Sequence, residues 1–276
     1  MERIQSDVSE ISSSVMGWTE RGPYGQSSYR GNTSGYLIEA LIRHYGVRSV
    51  LDPFSGGGTT KDVCRKLNVP MDAFDLKDGF DVATSPLPPK KYDLIFLHPP
   101  YWFMIQYSND SRDLSNAPSI GSFNTRLGSI ILRLSEYLSE RGKIVVLIGN
   151  LRKSGQYYPL GSYLEVLFRE NLKEELIKVQ YNTSTETKQY ANNNFIRIMH
   201  EKVLVFADFK PVTWRDLVLR ALNELGGIAT NGEIYDALNA HPKTLTNPTF
   251  RDTIRRTLQE VARNVSPGKW SVGSRA

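Results

Sequence analysis

One stretch constrains this chain more than any other: Val50-Leu51-Asp52-Pro53-Phe54-Ser55-Gly56-Gly57-Gly58-Thr59-Thr60. An apolar strand ends in a carboxylate, turns on three consecutive glycines and opens into a helix near the two threonines. Without Cβ atoms the backbone can approach a ligand closely, and the first turn of a helix offers unpaired N–H groups. The result is a cradle for a small molecule. Dinucleotide sites share this pattern. A P-loop does not, because no Gly-Lys-Ser/Thr follows, so nucleoside triphosphate binding is disfavoured. The strand itself, Val47 to Leu51, is apolar enough to sit inside a parallel sheet buried on both faces.

Around it the periodicity predicts an α/β chain. A helix over Tyr36 to Tyr45, with Thr33 or Ser34 as N-cap, precedes the strand. After the glycines come a helix to Leu67, strands over Met71 to Leu76 and Tyr92 to Leu97, and a polar stretch, Tyr107 to Ser122, long enough to be a functional loop. A helix through Phe123, Leu127, Ile131, Leu134 and Leu138 follows, then a strand over Lys143 to Ile148, a loop from Asn150 to Pro159 and a helix carrying Tyr163, Leu164 and Leu167. Strands near Glu174 to Tyr181 and Lys202 to Phe206 close the sheet. The polar Tyr181 to Arg197 between them reads as a loop over the active face. Alternation of this kind argues for a doubly wound sheet with helices on both faces.

The division expected is an arm over residues 1–30, an α/β domain over 31–209 and a mainly helical module over 210–276. A chain of 276 residues has room for one such domain and a module. In the arm, Trp18, Arg21 and Tyr24 either touch nucleic acid or pack back on the core. No apolar run approaches the ~20 residues of a membrane span. Met1 to Asp7 lacks a signal-peptide pattern, so the expectation is a soluble, cytoplasmic protein. Cys64, the only cysteine, leaves no internal disulfide, and the four histidines lack ligand spacing, so no metal is expected. The net charge of +5 suits a polyanionic partner.

A second signal follows the strand ending at Leu97: His98-Pro99-Pro100-Tyr101-Trp102. With Asp52 to Thr60 it resembles the amino-methyltransferases that modify adenine N6 or cytosine N4 in DNA. The resemblance covers about 15–207, and it implies a Rossmann-like methyltransferase sheet, S-adenosylmethionine as cofactor, and a role in DNA methylation or restriction–modification. Carried over, Asp52, Pro53, Phe54, Gly56, Gly58, Thr59 and Thr60 wrap the methionine part, with Asp52 on its amino group directly or through water. Asp75 takes the ribose hydroxyls. Asp81 accepts from the adenine amine, and Leu76 or Phe80 lies against the ring. Asn32, Thr33 and Ser34 stand where the family has a carboxylate-binding segment, with different lettering.

In the same resemblance, His98, Pro99, Pro100 and Tyr101 carry the reaction. An exocyclic amine is a poor nucleophile because its lone pair is delocalised into the ring, and two acceptors on its N–H bonds draw it towards a pyramidal geometry. The acceptors are the side chain at the first position and the Pro99 carbonyl, while Tyr101 stacks on the base. His98 departs from the family's Asp, Asn or Ser. Only a neutral imidazole has an acceptor nitrogen, which predicts an acidic limb near pH 6.5, the ordinary histidine value, shifted by its surroundings. The alternative is that His98 only caps the turn. No Pro-Cys nucleophile is present, so covalent cytosine C5 chemistry is disfavoured.

Duplex DNA as substrate requires flipping the base, for which Tyr101 and Trp102 are suited, while Asn109 to Ser115, with Arg112, either borders the DNA or is an ordered surface loop. The end of the chain resembles a winged helix-turn-helix. Leu217 to Leu225 ends at Gly226-Gly227, Thr230 with Glu233 makes a capping box, and a third helix carries Phe250, Ile254, Leu258 and Val261 on one face. Arg251, Arg255 and Arg256 lie largely away from that face and read as DNA contacts, and Pro267 to Val272 as the wing. A helical cap that packs or forms a homodimer remains open. Adenine N6 is favoured over cytosine N4; an RNA methyltransferase and an inactive DNA-binding regulator are the other readings.

Overall fold

The computed structural model describes residues 4–8, 10–182, 195–210, 213–239, 242–245 and 247–273. The chain divides into two compact units, Met1–Phe209 and Lys210–Ala276.

The larger unit runs β1 (Val15–Gly17), α1 (Gly35–His44), β2 (Val50–Asp52), α2 (Thr59–Leu67), β3 (Met71–Ala73), β4 (Tyr92–Leu97), α3 (Ile120–Ser135) and β5 (Leu138–Gly149). It continues through β6 (Leu151–Lys153), β7 (Gln156–Tyr158), α4 (Leu160–Leu167), β8 (Leu172–Val179) and β9 (His200–Phe206). Seven strands form one sheet in the order β1-β8-β9-β5-β4-β2-β3. All pairings are parallel except those of β9, which runs against both neighbours.

The apolar runs identified in the sequence alternate between two buried faces. Val50, Leu94, Phe96, Val145 and Val203 pack with Leu37, Ile38 and Leu41 of α1 and with Val63 and Cys64 of α2. Leu51, Ile95, Leu97, Ile144 and Leu204 pack on the other side with Phe123, Leu127 and Ile131 of α3 and with Leu160 and Leu164 of α4. Helices cover both faces, which is why the central strands are continuously apolar.

The chain leaves β2 for β3 on one side and returns to β4 on the other. The order of the sheet therefore reverses between β2 and β4, and ligand crevices in open α/β sheets form outside the carboxyl ends of strands at such a point. Both sequence motifs lie there, one directly after β2 and the other directly after β4.

Three expectations change. Part of the arm is β1, a seventh strand parallel to β8, where no strand was expected; of the two readings of the arm, Trp18 and Tyr24 follow the one that packs back on the core. The loop expected over Asn150 to Pro159 contains the β6–β7 hairpin. The strand expected to reach Leu76 stops at Ala73, because the Asp75 side chain accepts from Lys77 N and starts a 3-10 turn over Leu76–Asp78. Most of the polar Tyr181 to Arg197 stretch, and His241, lie outside the described residues.

The smaller unit comprises α5 (Trp214–Glu224), β10 (Ile228–Thr230), α6 (Asn231–Leu238), α7 (Pro242–Leu245), α8 (Phe250–Val261), β11 (Ala262–Ser266) and β12 (Lys269–Val272). Capping boxes, Thr213 with Asp216 and Thr230 with Glu233, start α5 and α6. Gly226 and Gly227 end α5 with φ of +87° and +85°, a conformation glycine reaches without strain. Its core joins Leu217, Leu222, Ile234, Ile254, Leu258 and Trp270. The three strands form an antiparallel sheet, β10-β12-β11, in which β10 is three residues long, too short for a sequence period to announce it. Among the described residues, no helix is long and apolar enough to cross a membrane.

Candidate functional site

The turn after β2 is built on left-handed backbone. Gly56 and Gly58 have φ of +45° and +83°, and Gly58 N donates to Ser55 O at 2.7 Å. A Cβ on Gly58 would meet nothing within 4 Å, so the start of α2 opens on free space. Asp52, at the carboxyl end of β2, is only 3% exposed. Its Oδ1 accepts from Phe54 N at 3.0 Å. Burial pushes its pKa up to about 6, although hydrogen bonds from Thr60 and Phe54 N pull the other way; the charge of Asp75 adds to the rise. Among the described residues Asp52 has no ion-pair partner. A cationic ligand group would supply the missing countercharge.

The segment before α1 reaches over this turn. Gln26 N donates to Gly57 O at 2.9 Å, Asn32 Nδ2 to Gln26 O at 2.9 Å, and the Thr59 hydroxyl to Asn32 Oδ1. Ser34 caps α1, its hydroxyl oxygen accepting from Tyr36 N. Thr33 is buried with an unpartnered Oγ1, a polar atom a ligand or water could satisfy. Tyr29, which no motif marked, lies against Gly56 and Gly57 and stacks on Tyr107 with ring centroids 5.9 Å apart.

The two carboxylates expected to hold a nucleoside are already engaged within the chain. Asp75 accepts from Gly56 N at 2.7 Å through Oδ2 and from Lys77 N at 3.1 Å through Oδ1, while the Lys77 ammonium donates to Gly56 O. Each carboxylate oxygen keeps acceptor capacity. Asp81 accepts from Ala83 N at 2.9 Å and from the Thr84 hydroxyl at 2.8 Å, which makes it a turn residue as it stands. Phe80 stacks on Phe74 at 4.3 Å, and Leu76 opens the 3-10 turn.

At the end of β4, Pro99 is buried and His98 and Pro100 are half-buried. His98 Nε2 and Tyr101 Oη are 3.0 Å apart. The Tyr101 hydroxyl donates to Glu201 Oε1 at 2.6 Å, and Lys178 Nζ donates to Glu201 Oε2 at 2.6 Å. Neither Glu201 nor Lys178 carried a sequence signal, since both come from distant strands. Burial drives the His98 pKa down to about 4; the Glu201 charge opposes this and Lys178 reinforces it. The shift favours the neutral imidazole at pH 7. Burial alone would raise the Glu201 carboxyl, but the charges of Lys178 and His98 and the bonds from Lys178 and Tyr101 hold it down at about 2.

The residues expected at the substrate are placed less simply. Trp102 has a φ of +48°, its Nε1 donates to Ala117 O at 2.8 Å, and its ring packs edge-on against Phe103 and Tyr158. That ties the Tyr107 to Ser122 stretch to the β6–β7 hairpin. Arg112 is exposed and forked onto Asp110, with contacts of 2.6 to 3.1 Å. In the smaller unit Arg251, Arg255 and Arg256 are exposed on α8; Arg251 lies over the Tyr235 and Phe250 rings and Arg255 pairs with Asp252 at 2.8 Å. Among the described residues no group of three His, Cys, Asp or Glu side chains could hold a metal ion.

A parallel sheet with one antiparallel strand, β9, third from its β1 edge, and its crevice between β2 and β4, gives the larger unit its class. The fold is Rossmann-like, a doubly wound α/β sheet. No protein-family model matches the chain, and no curated protein matches it in sequence. Among solved structures it is similar to a TehB-like SAM-dependent methyltransferase from Corynebacterium glutamicum, at 17% identity and a TM-score of 0.37, over 67% of this chain and 90% of that one. It is also similar to a candidate DNA modification methylase from Thermus thermophilus, at 18% identity and a TM-score of 0.34, over 52% of this chain and 60% of that one. The N-methyltransferase NodS from Bradyrhizobium japonicum matches at 11% identity and a TM-score of 0.33, over 59% and 79%.

Proposed function

We propose that the chain is an S-adenosylmethionine-dependent methyltransferase acting on the exocyclic amine of a nucleic-acid base, with adenine N6 in DNA as the first choice. The observation that carries the reading is the placement of two motifs at one crevice: buried, cation-free Asp52 at the end of β2, and the neutral His98 with Pro99 at the end of the adjacent β4. Leu51 pairs with Ile95, so His98 lies two residues beyond the level of Asp52. Strand geometry puts those two backbones about 8 Å apart. Asp52, the Gly56 to Thr60 turn and Thr33 would hold the amino-acid end of the cofactor, and Asp75 its ribose. Bound S-adenosylmethionine would supply an electrophilic methyl group.

His98 and the Pro99 carbonyl would then accept the two N–H bonds of the target amine and orient its lone pair. Tyr101 helps to shape the base pocket. A base in duplex DNA has to be flipped out, at a cost of roughly a few kcal/mol. The smaller unit, with helix, strand, helices and a terminal hairpin in winged-helix order, would bring the arginines of α8 to the phosphates. Its exposed positive face favours nucleic acid over a small amine.

The test is incubation with labelled S-adenosylmethionine and unmodified plasmid, with transfer RNA in parallel, followed by nucleoside analysis. Label in N6-methyladenine is expected. Label in N4-methylcytosine or in RNA alone would move the assignment to that substrate. DNA binding without incorporation would leave a regulator on a methyltransferase fold.

A further inference from the structure

Three neighbouring strands converge behind the His-Pro-Pro-Tyr turn. Gly149 of β5 is in register with Glu201 of β9, and Glu201 with Lys178 of β8. A Cβ at position 149 would stand 2.6 Å from Tyr101 Cε2, so the glycine makes the space in which the Tyr101 ring lies. The ring delivers its hydroxyl to Glu201, and Lys178 neutralises the far oxygen of the same carboxylate.

The direction of each hydrogen bond in this chain of groups is fixed by counting protons. An ammonium only donates and an ionised carboxylate only accepts. Tyr101 has one hydroxyl proton, and at 2.6 Å from a carboxylate oxygen it is spent on Glu201. Towards His98 the phenol oxygen can therefore only accept, and the partner at 3.0 Å is His98 Nε2. A neutral imidazole carries one proton, which this contact places on Nε2. The lone pair is then on Nδ1, which has no hydrogen-bond partner among the described residues.

We propose that Glu201, braced by Lys178, is a positioning residue that acts through the Tyr101 hydroxyl to fix the tautomer of His98, leaving Nδ1 as the acceptor for the target amine. The proposal rests on the methyltransferase reading only for what Nδ1 accepts. The relay belongs to the protein itself. It gives a reason for a histidine to work where an acid or amide acceptor would be expected: a neutral histidine has one lone pair, and a partner on the other nitrogen fixes which atom carries it.

The experiment is nitrogen-15 NMR of the histidine side chains in cofactor-free, full-length protein at pH 7, with His98 assigned by its loss in His98→Asn. The Nε2–H form is expected. Glu201→Gln alone leaves Lys178 buried without its counter-ion and can unfold the protein, so the decisive variant is Lys178→Met with Glu201→Leu, an apolar replacement of the kind buried pairs often tolerate. There the Tyr101 proton is released to His98 Nε2, and the imidazole should switch to the Nδ1–H form. Adding Tyr101→Phe removes that donor and should return it to Nε2–H. In the double variant kcat should fall on the order of a hundredfold, the lower end of what a placed acid or base supplies, with cofactor affinity unchanged. A wild-type His98 in the Nδ1–H form, or a tautomer indifferent to the double substitution, overturns the relay. A wild type that shows the expected tautomer but methylates nothing counts against the proposed reaction instead.

Discussion

The ring of Tyr29 lies on the backbone of Gly56, so near that a Cβ at this glycine would stand 2.8 Å from Tyr29 Cε1. Gly58, two residues on, has open space on the same count. Both have positive φ, so alanine at either meets a backbone penalty of roughly 1–2 kcal/mol. Only Gly56→Ala must also displace Tyr29. Denaturant unfolding should show Gly56→Ala clearly more destabilising than Gly58→Ala. In a Tyr29→Ala background the difference should vanish; equal effects in the wild-type background would mean that Tyr29 does not press on the turn.

Asp52 links stability, pH and the cofactor. Its folded pKa of about 6 lies above the ordinary carboxylate value, so its contribution to stability is full below about pH 3.9 and is lost as pH rises through about 6. Asp52→Asn keeps an acceptor for Phe54 N and removes the charge. The variant should be more stable than wild type by about 3 kcal/mol at pH 7.5, and urea midpoints should converge below pH 4. If the cofactor's ammonium supplies the countercharge, Asp52→Asn should also abolish S-adenosylmethionine binding in calorimetry. Wild-type binding near pH 6 should release protons, seen as a dependence of heat on buffer.

His98 acts in a different pH window. With its pKa lowered to about 4, the imidazole keeps an acceptor nitrogen throughout the physiological range, and kcat at saturating cofactor should stay flat from pH 8 to about 5.5 before falling towards 4. The KM for cofactor should rise earlier, below about pH 6, as Asp52 takes up its proton. Unfolded chains bind a proton at His98 near 6.5 that the folded protein refuses, so this residue withdraws stability as pH drops from 6.5 to 4. A kcat limb near 6.5 in steady-state rates would show that the imidazole is not desolvated as the structure has it.

The local parts of this site were legible because each is carried by a contiguous run. Asp52 to Thr60 encodes strand, turn and helix start within one short segment, and His98 to Tyr101 follows a strand whose bounds, Tyr92 to Leu97, the apolar pattern gives directly. What stayed hidden is non-local or too short for a period. β1 is three residues whose partners in β8 lie far along the chain, Val15 with Ile177, and no alternation can announce it. Tyr29 becomes part of the cradle only because Gln26 and Asn32 anchor the arm to the glycine turn. Lys178 and Glu201 read as ordinary strand charges until the antiparallel register of β8 and β9 sets them opposite each other behind Tyr101. The lowering of the His98 pKa to about 4 depends on burial among these same strands, which the sequence expectation allows for only as an unsized shift by the surroundings.

The arginines of α8 give the nucleic-acid reading a test that needs no catalysis. Ile254, Leu258 and Val261 are buried in the core of the smaller unit, while Arg251, Arg255 and Arg256 are exposed. The Arg255 pair with Asp252 is exposed at both ends and is worth little, so a phosphate can replace it. Each arginine that meets a phosphate should add about 0.9 to the slope of log K against log salt for duplex DNA. Replacing all three with Gln, which keeps helix propensity, should reduce that slope by about 2 to 3 in fluorescence anisotropy titrations. Melting temperature and S-adenosylmethionine affinity should hold, because the three side chains are exposed in the smaller unit and Arg251 meets the half-buried Tyr235 and Phe250 rings. An unchanged slope would move the phosphate contacts off α8 and leave its positive face a solvated surface.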